Sequence, residues 1–503
     1  MVEPSRWRGV SAWIIAGAAC GACHGERPDV LAPPADSAVP GLLGPKSAQA
    51  SPPPPDAGAD AAPPDAAAPV GTKPTAEPPE APRTLAGSII ASSVARAVAA
   101  NNAFAVALFE QVRTQSAKQN LLTSPISAEL ALTMAYAGAA GQTRTEMASA
   151  LRFGAAPAQT IFDGQNALSQ ALQGRGAAAF ALAASDYRGS SGHAVATDYQ
   201  LQVVNSVWGQ TGYAWEAPFL HTLAADYGAT VYKRDFRTQW EPARQEINAW
   251  VSTQTSDKIN DLLPPQALTR ATRMVLVNAL HLKMPWESEF HKSSTAPAPF
   301  TRADKTQVTT PLMHTQSSFA YVDDGSAQVV SLPLAGNALS VIIALPHAGS
   351  SLEAYERSLR AGSAALMQPK KTALVNLSLP KSAFTSPTFS LSDALKALGM
   401  KQAFDDQRAN FEGMCAHTPE GEPLYVSDVL QKTMLDVQET GVEAAAATAV
   451  VTSILMSAVV VRTKPVPVPM IVNRPYLVAI VDVPTGAILM LGHITDPSAA
   501  AGN

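Results

Sequence analysis

Glu439-Thr-Gly-Val-Glu-Ala-Ala-Ala-Ala-Thr-Ala-Val-Val451 is the stretch on which the reading of this chain turns, and no further charge follows it until Arg462. From Val442 one parity reads Val442, Ala444, Ala446, Thr448, Val450, Thr452, Ile454. The other reads Glu443, Ala445, Ala447, Ala449, Val451, Ser453, Leu455. In a strand these two sets face opposite sides of a sheet. The first is small or apolar at every step, and the second opens with a charge. Apart from Glu443, no side chain before Ile454 exceeds Val in size, so the segment fits between two existing strands with little steric conflict. Three readings stay open at this point. Ala444 to Val461 is eighteen residues without a charge, the lower bound for a membrane-crossing helix. Its Thr and Ser content, β-branched second half and the following Lys464-Pro-Val-Pro-Val-Pro469 speak against that. The others are a long loop and an insertable strand, although an ordinary buried strand runs only about 5–6 residues.

The rest of the chain narrows the choice. With 503 residues and 47% hydrophobic content, it can hold one large domain with extensions. A net charge of −5 gives no pull toward nucleic acid or anionic membranes. Three cysteines exclude a disulfide framework, and Cys415, alone in the globular part, reads as a small apolar residue. No Gly-x-Ser-x-Gly, His-Glu-x-x-His or Walker-type loop occurs, and the nine histidines lack metal-ligand spacing. No enzyme activity, metal or cofactor is read from the sequence.

Residues 1–23 read as an export signal. Arg6 and Arg8 precede a short apolar run from Val10 to Cys20, too brief to span a bilayer. Small residues before Cys20 fit either ordinary cleavage or lipoprotein processing with Cys20 acylated, although Gly17 stands where Leu is usual. The protein is therefore expected to be exported, as an extracellular protein or a cell-envelope lipoprotein that meets the membrane only through its lipid. Cys20-Gly-Ala-Cys23-His24 also has the spacing of a c-type haem attachment site. Haem needs a packed pocket and usually a second axial ligand, which a position between a signal and a spacer does not offer. Residues 24–87 are dominated by Pro, Ala and Asp, as in Ser51-Pro-Pro-Pro-Pro-Asp56, and read as an extended tether.

Folding signals begin near Ser88. Val98, Ala105, Leu108, Phe109 and Val112 recur at helical spacing, interrupted by Asn101 and Asn102. Ser124-Pro-Ile-Ser127 and the series from Gly138 to Met147 follow. Farther on come Ile247-Asn-Ala-Trp-Val251, Leu276-Val-Asn-Ala-Leu280, Pro285-Trp-Glu287, Leu332-Pro-Leu334 and Ile342-Ile-Ala-Leu-Pro346. Leu424-Tyr-Val-Ser-Asp428, Asn473-Arg-Pro-Tyr476 and Gly486-Ala-Ile-Leu-Met-Leu-Gly492 complete the series. In this order and spacing, from about Ser88 to Pro497, the chain resembles the serpin family.

The resemblance implies an α+β domain over residues 88–499, with three β-sheets, eight to nine helices and an exposed reactive-centre loop at about 439–470. It also implies the activity: irreversible suicide-substrate inhibition of serine endopeptidases, in which the cleaved loop inserts into the main sheet, strand addition of a kind serpins exemplify. A cysteine protease is a second class of enzyme the same loop would trap. The implied hinge comprises Glu439, Gly441, Val442, Glu443, Ala444, Ala445, Ala446 and Ala447. Gly441 would give the turn freedom to open, and Val442 would be the first side chain buried on insertion. Sixteen residues on from Glu439, the family spacing places the reactive bond at Leu455-Met456. A loop one residue longer would be cut at Met456-Ser457, and Arg462 is the one cationic alternative. Leu or Met before the bond favours chymotrypsin-like or elastase-like pockets over trypsin-like ones.

A sheet-opening cluster is implied at Ser124, Ser127, Asn278, Gln431 and Trp286. Gln431 stands where the family usually has His, and its amide can both donate and accept hydrogen bonds. From Glu439 to Pro475 the loop is several residues longer than is typical of the family. Gly174 to Tyr199 carries only Arg175 and Arg188 as cations, so no heparin-binding patch is read there. The chain is expected to be a monomer. The rival functions are a non-inhibitory serpin acting as carrier or chaperone, and an exported c-type haem protein.

Overall fold

The computed structural model describes residues 81–114, 118–187, 199–359, 369, 371–419, 423–442 and 466–498. Nine α-helices occur among them. In chain order they are α1 (Ala91–Arg113), α2 (Pro125–Gly138), α3 (Gly141–Ala150), α4 (Ala158–Gln173), α5 (Arg175–Tyr187), α6 (Ala217–Thr222), α7 (Phe236–Gln254), α8 (Leu352–Ser358) and α9 (Ser392–Ala397). A π-helical turn, Leu223–Tyr227, continues α6.

The main sheet is built from β2 (Gln200–Gln210), β3 (Val231–Arg234), β4 (Met274–Pro285), β10 (Ser382–Thr385), β11 (Phe389–Ser390), β12 (Asp428–Gln438) and β13 (Gly441–Val442). Its order is β10-β12-β13-β4-β2-β3, with β11 on β12. The second ladder takes β1 (Leu121–Thr123), β5 (Ala296–Thr301), β6 (Gln307–Asp323), β7 (Ala327–Pro333), β8 (Leu339–Pro346) and β9 (Thr372–Pro380). It is completed by β14 (Val468–Ile471), β15 (Tyr476–Asp482) and β16 (Ile488–Ile494). Its long strand β6 belongs to two sheets. Residues 307–320 pair with β5 and β9, and only the last four, from Ala320 to Asp323, pair with β7. Counting the two halves separately gives the three sheets that the resemblance implies.

Strand β4 is buried along almost its whole length, because it is covered on both faces. Met274, Leu276, Leu280, Leu282 and Met284 enter the large core shared with α1, α2 and the second ladder. Val275, Val277 and Ala279 point the other way, into a smaller core with Ile247 and Val251 of α7. The period-2 alternation thus sorts one strand between two apolar environments. Helix α2 is buried at nearly every position, so it lies inside the domain as a platform under the main sheet.

Asn101 and Asn102, which break the apolar pattern of α1, are ties to the C-terminal hairpin. Asn101 donates to the Ile488 carbonyl at 3.0 Å and Asn102 to that of Gly486 at 2.8 Å. Arg175 is likewise engaged, with Asp482 at 2.5 Å. The boundary at Ser88 needs correction. Arg83 donates to Asn166 and Ser169 of α4, and the Thr84 carbonyl accepts from Asn166 and Gln170. Residues 83–87 bury little apolar surface, Leu85 being 74% exposed, so they read as part of the tether. Their docking is polar.

Candidate functional site

Strand β12 carries the chain to Glu439, and the site grows outward from that residue. The Glu439 carboxylate lies 2.9 Å from Lys381 Nζ and accepts from Thr295 Oγ1 at 3.0 Å. Burial pushes this carboxyl up, but its hydrogen bonds with Lys381, its own backbone N–H and Thr295 outweigh that and hold it below the usual carboxylate range. The backbone is fixed as well: Phe290 N donates to the Glu439 carbonyl at 2.8 Å and Trp286 N to that of Thr440 at 3.1 Å. Trp286 Nε1 donates to the Gln438 carbonyl at 2.7 Å, and its ring meets Phe290 edge-on with centroids 5.8 Å apart. Trp286 therefore holds the hinge through both its backbone and its indole, in addition to filling core.

Beyond this anchor, Gly441 and Val442 already lie within the main sheet as β13. Val442 pairs with Val437 of β12 on one side and with Met284 of β4 on the other, and it is fully buried. Gly441 is required here by proximity. A Cβ at this position would come within 2.5 Å of the Met284 carbonyl oxygen and of Pro285 Cα. Close backbone approach is thus one reason for glycine here, beside the freedom to open that the family resemblance implies.

Below β13 the two flanking strands meet directly. β12 and β4 run parallel and in register from Asp428↔Val275 to Thr433↔Leu280. Above that they part, with β13 between their far ends. The main sheet has a seam that is closed at one end and wedged open at the other.

The polar cluster sits on the closed part of this seam. Gln431 is wholly buried; its Nε2 donates to the Ser124 carbonyl at 2.9 Å and to Asn278 Oδ1 at 2.9 Å. Its Oε1 accepts from Ser124 N at 3.0 Å, so amide and peptide pair face to face. Asn278 Nδ2 returns across the seam to the Leu430 carbonyl at 3.2 Å. Ser127 Oγ donates to the Ala279 carbonyl at 3.2 Å, whereas Ser124 Oγ donates to that of Leu489 at 3.1 Å. The cluster is thus intact with Gln in place of His: both amide protons and the amide oxygen of Gln431 are satisfied.

The structure brings Ser124, Ser127, Asn278 and Gln431 together, and places Trp286 at the hinge instead, beside Glu439, Gly441 and Val442. Lys381, Thr295 and Asn205 were missed by sequence reasoning. Asn205 of β2, with its amide nitrogen turned toward α2, donates to the Ser127 carbonyl at 3.1 Å. Lys381 and Thr295 are far from Glu439 in the chain, and no local pattern marks either. Glu443, Ala444, Ala445, Ala446, Ala447, Leu455, Met456, Ser457 and Arg462 lie outside the described residues, as do Cys20, Cys23 and His24.

A wedged seam beside a small-residue segment is the arrangement the family resemblance implies, and comparison decides the family. The family model described as serpin (serine protease inhibitor) matches residues 99–497. This chain belongs to the serpin family. The serpin-like protein of Methanosarcina mazei is 31% identical over 355 residues, covering 70% of this chain and 76% of that protein. The leukocyte elastase inhibitor of Equus caballus is 30% identical over 407 residues, covering 79% and 98%. Among solved serpin structures, native tengpin, a thermophilic serpin, has a TM-score of 0.66 at 25% identity, over 79% of this chain and 94% of that one. Human thyroxine-binding globulin in complex with thyroxine has a TM-score of 0.68 at 25% identity, over 81% and 100%.

Proposed function

We propose that this serpin is a suicide-substrate inhibitor of serine endopeptidases, acting by insertion of its cleaved loop between β12 and β4. The observation that carries this reading is Val442, paired on both sides at the open end of the seam. Continuing its antiparallel register sets Ala444 between Leu435 and Leu282, Ala446 between Thr433 and Leu280, and Thr448 between Gln431 and Asn278. All of these side chains would face α2 and the large core. On the opposite face, Glu443 would lie between Asp436 and Lys283. Ala445, Ala447 and Ala449 would follow it, and Ala449 would lie over Leu430 and Val277, which share a core with α7. Each parity matches the surface it would meet. The hydroxyl of Thr448 would arrive at the row where the Gln431–Asn278 bond has to part.

In this reading the protease's serine oxygen attacks the carbonyl carbon of Leu455, or of Met456, and the new amine of the following residue leaves. The ester so formed ties the protease to the end of a segment that then enters the sheet. An apolar residue before the bond selects chymotrypsin-like or elastase-like enzymes, with cysteine proteases as a further class open to trapping. We further propose that the protein acts after export, as a monomer, with acylation of Cys20 as its membrane attachment. A non-inhibitory carrier is the second reading, favoured by the likeness to thyroxine-binding globulin.

Incubation with chymotrypsin, elastase and trypsin distinguishes the two. An SDS-stable complex with either of the first two is expected. Cleavage in the loop without a complex would exclude inhibition of these enzymes and leave the carrier reading standing.

A further inference from the structure

Helix α2 contains a feature that inhibition does not use. Glu129 is fully buried, and neither of its carboxyl oxygens has a hydrogen-bond partner. On α4, Gln165 is also fully buried, with both amide atoms unpartnered. The two side chains are close enough for Gln165 to act on the carboxyl, yet no contact between them reaches hydrogen-bond geometry. Tyr227, at the end of the π-helical turn, adds a third buried and unpartnered group, its hydroxyl.

The four polar atoms of Glu129 and Gln165, buried together, demand a common solution. A carboxylic acid offers one O–H donor and one carbonyl acceptor, and a primary amide offers the complementary pair. A small rotation of either group closes an acid–amide pair and satisfies both. The ionised form has no such solution, since a carboxylate only accepts. Burial drives the Glu129 carboxyl well above its ordinary range, with Gln165 as the weaker opposing influence. No Lys, Arg or His among the described residues acts on it. Tyr227 of the π-helical turn acts with this carboxyl, and Asp226 from the same turn and Tyr136 from α2 act in turn on Tyr227; none of the three is cationic.

We propose that Glu129 and Gln165 form a proton-dependent lock between α2 and α4, closed while Glu129 is protonated and opened when it ionises. The location gives the lock its consequence. The same helix begins at the Ser124 and Ser127 contacts to β12 and β4, so the platform under the seam is held by a group that titrates. A carboxyl of raised pKa keeps its proton in the folded state after the unfolded chain has released it. Stability is therefore complete at and below the ordinary carboxylate range and falls as pH rises toward the folded value.

Denaturant unfolding of the full chain tests this, comparing the wild type with Glu129→Gln from about pH 5 to about pH 9. The wild-type unfolding constant should rise by up to about tenfold per pH unit relative to the variant, until the folded group ionises. The infrared spectrum of the folded wild type at neutral pH should contain a protonated-carboxyl stretch that Glu129→Gln lacks. Should the variant fail to fold, that band is titrated in the wild type alone. Its absence at neutral pH, or parallel pH profiles for the two proteins, would overturn the lock.

Discussion

At the scale of single residues, Val442 is the most exacting position on the hinge, because it has a strand on each side. Val442→Arg would force a guanidinium against Val437 and Met284 with no carboxylate in either pair, an expense of about 3 kcal/mol or more. The variant loop should still be cut at the same bond but trap nothing, turning inhibitor into substrate. Gel analysis after mixing with chymotrypsin reads this directly; undiminished complex formation would sink the insertion mechanism.

Specificity belongs to the same scale. Leu455→Arg should weaken inhibition of chymotrypsin-like enzymes and create inhibition of trypsin-like ones, since an Arg side chain needs a pocket carboxylate. If the loop is cut one residue later, Met456→Arg does so instead. Mass spectrometry of the released C-terminal fragment distinguishes the cases by its first residue, Met456 or Ser457; a fragment starting at Thr463 would make Arg462 the bait.

Glu439 adds a pH dependence. Its folded pKa is depressed, so its contribution is complete above the ordinary carboxylate value of 4.5 and is lost as pH falls through the lower folded value. Lys381 is half-exposed, which limits the pair to about 1 kcal/mol. The stability gap between wild type and Glu439→Gln should therefore close on acidification, and a gap constant down to pH about 3 would refute the assignment.

At the scale of elements, the seam between β12 and β4 is held by its ladder and by two side-chain bonds across it, Gln431 to Asn278 and Asn278 to the Leu430 carbonyl. Asn278→Ala removes both and leaves the second proton of Gln431 Nε2 unpaired. A loss of about 1–3 kcal/mol is expected in the intact protein, together with faster spontaneous loss of inhibitory activity on warming. Gln431 keeps its paired contacts to Ser124, so β12 should remain on α2 while β4 moves. If the cleaved loop inserts as proposed, the new strand separates Gln431 from Asn278, and the variant should be affected much less in the cleaved protein. Equal destabilisation of both forms, measured by calorimetry, would mean that the cluster has no part in sheet opening.

For the whole molecule, among the described residues three rows, 434–436 of β12 and 281–283 of β4, have no ladder between them, and below them lies a seam that another strand can replace. Entry of residues 443–451, as proposed, would replace the single β12–β4 ladder by two and close the open rows, each hydrogen bond gained beyond those broken contributing about 0.5–1.5 kcal/mol net. Loop cleavage should therefore raise the melting temperature by roughly 10 °C or more. Identical melting of cut and uncut protein would exclude an inhibitory serpin.

Read alone, the sequence determined those features whose cause is local. The Glu439–Val461 segment announces itself because insertion requires small, uncharged, alternating side chains, and this requirement lies within consecutive residues. Helical periodicity around Val98 to Val112 is equally local, whereas the sheets, the helix count and the partners of Gln431 were supplied by the family resemblance. Tertiary structure alone decided the rest. Nothing near Glu439 in the chain marks Lys381 or Thr295 as its partners, because side chains distant in sequence meet only once the sheets have formed. Docking of Arg83 on α4 was hidden by a composition that resembles a tether, since a polar strap has no apolar signature. Glu129 was illegible for the opposite reason: a helix buried on all sides has no polar face against which an inward carboxyl stands out. That Gly441 and Val442 rest inside the sheet before any cleavage depends on the separation of β12 and β4 at one end, a property of two strands that neither strand's residues express.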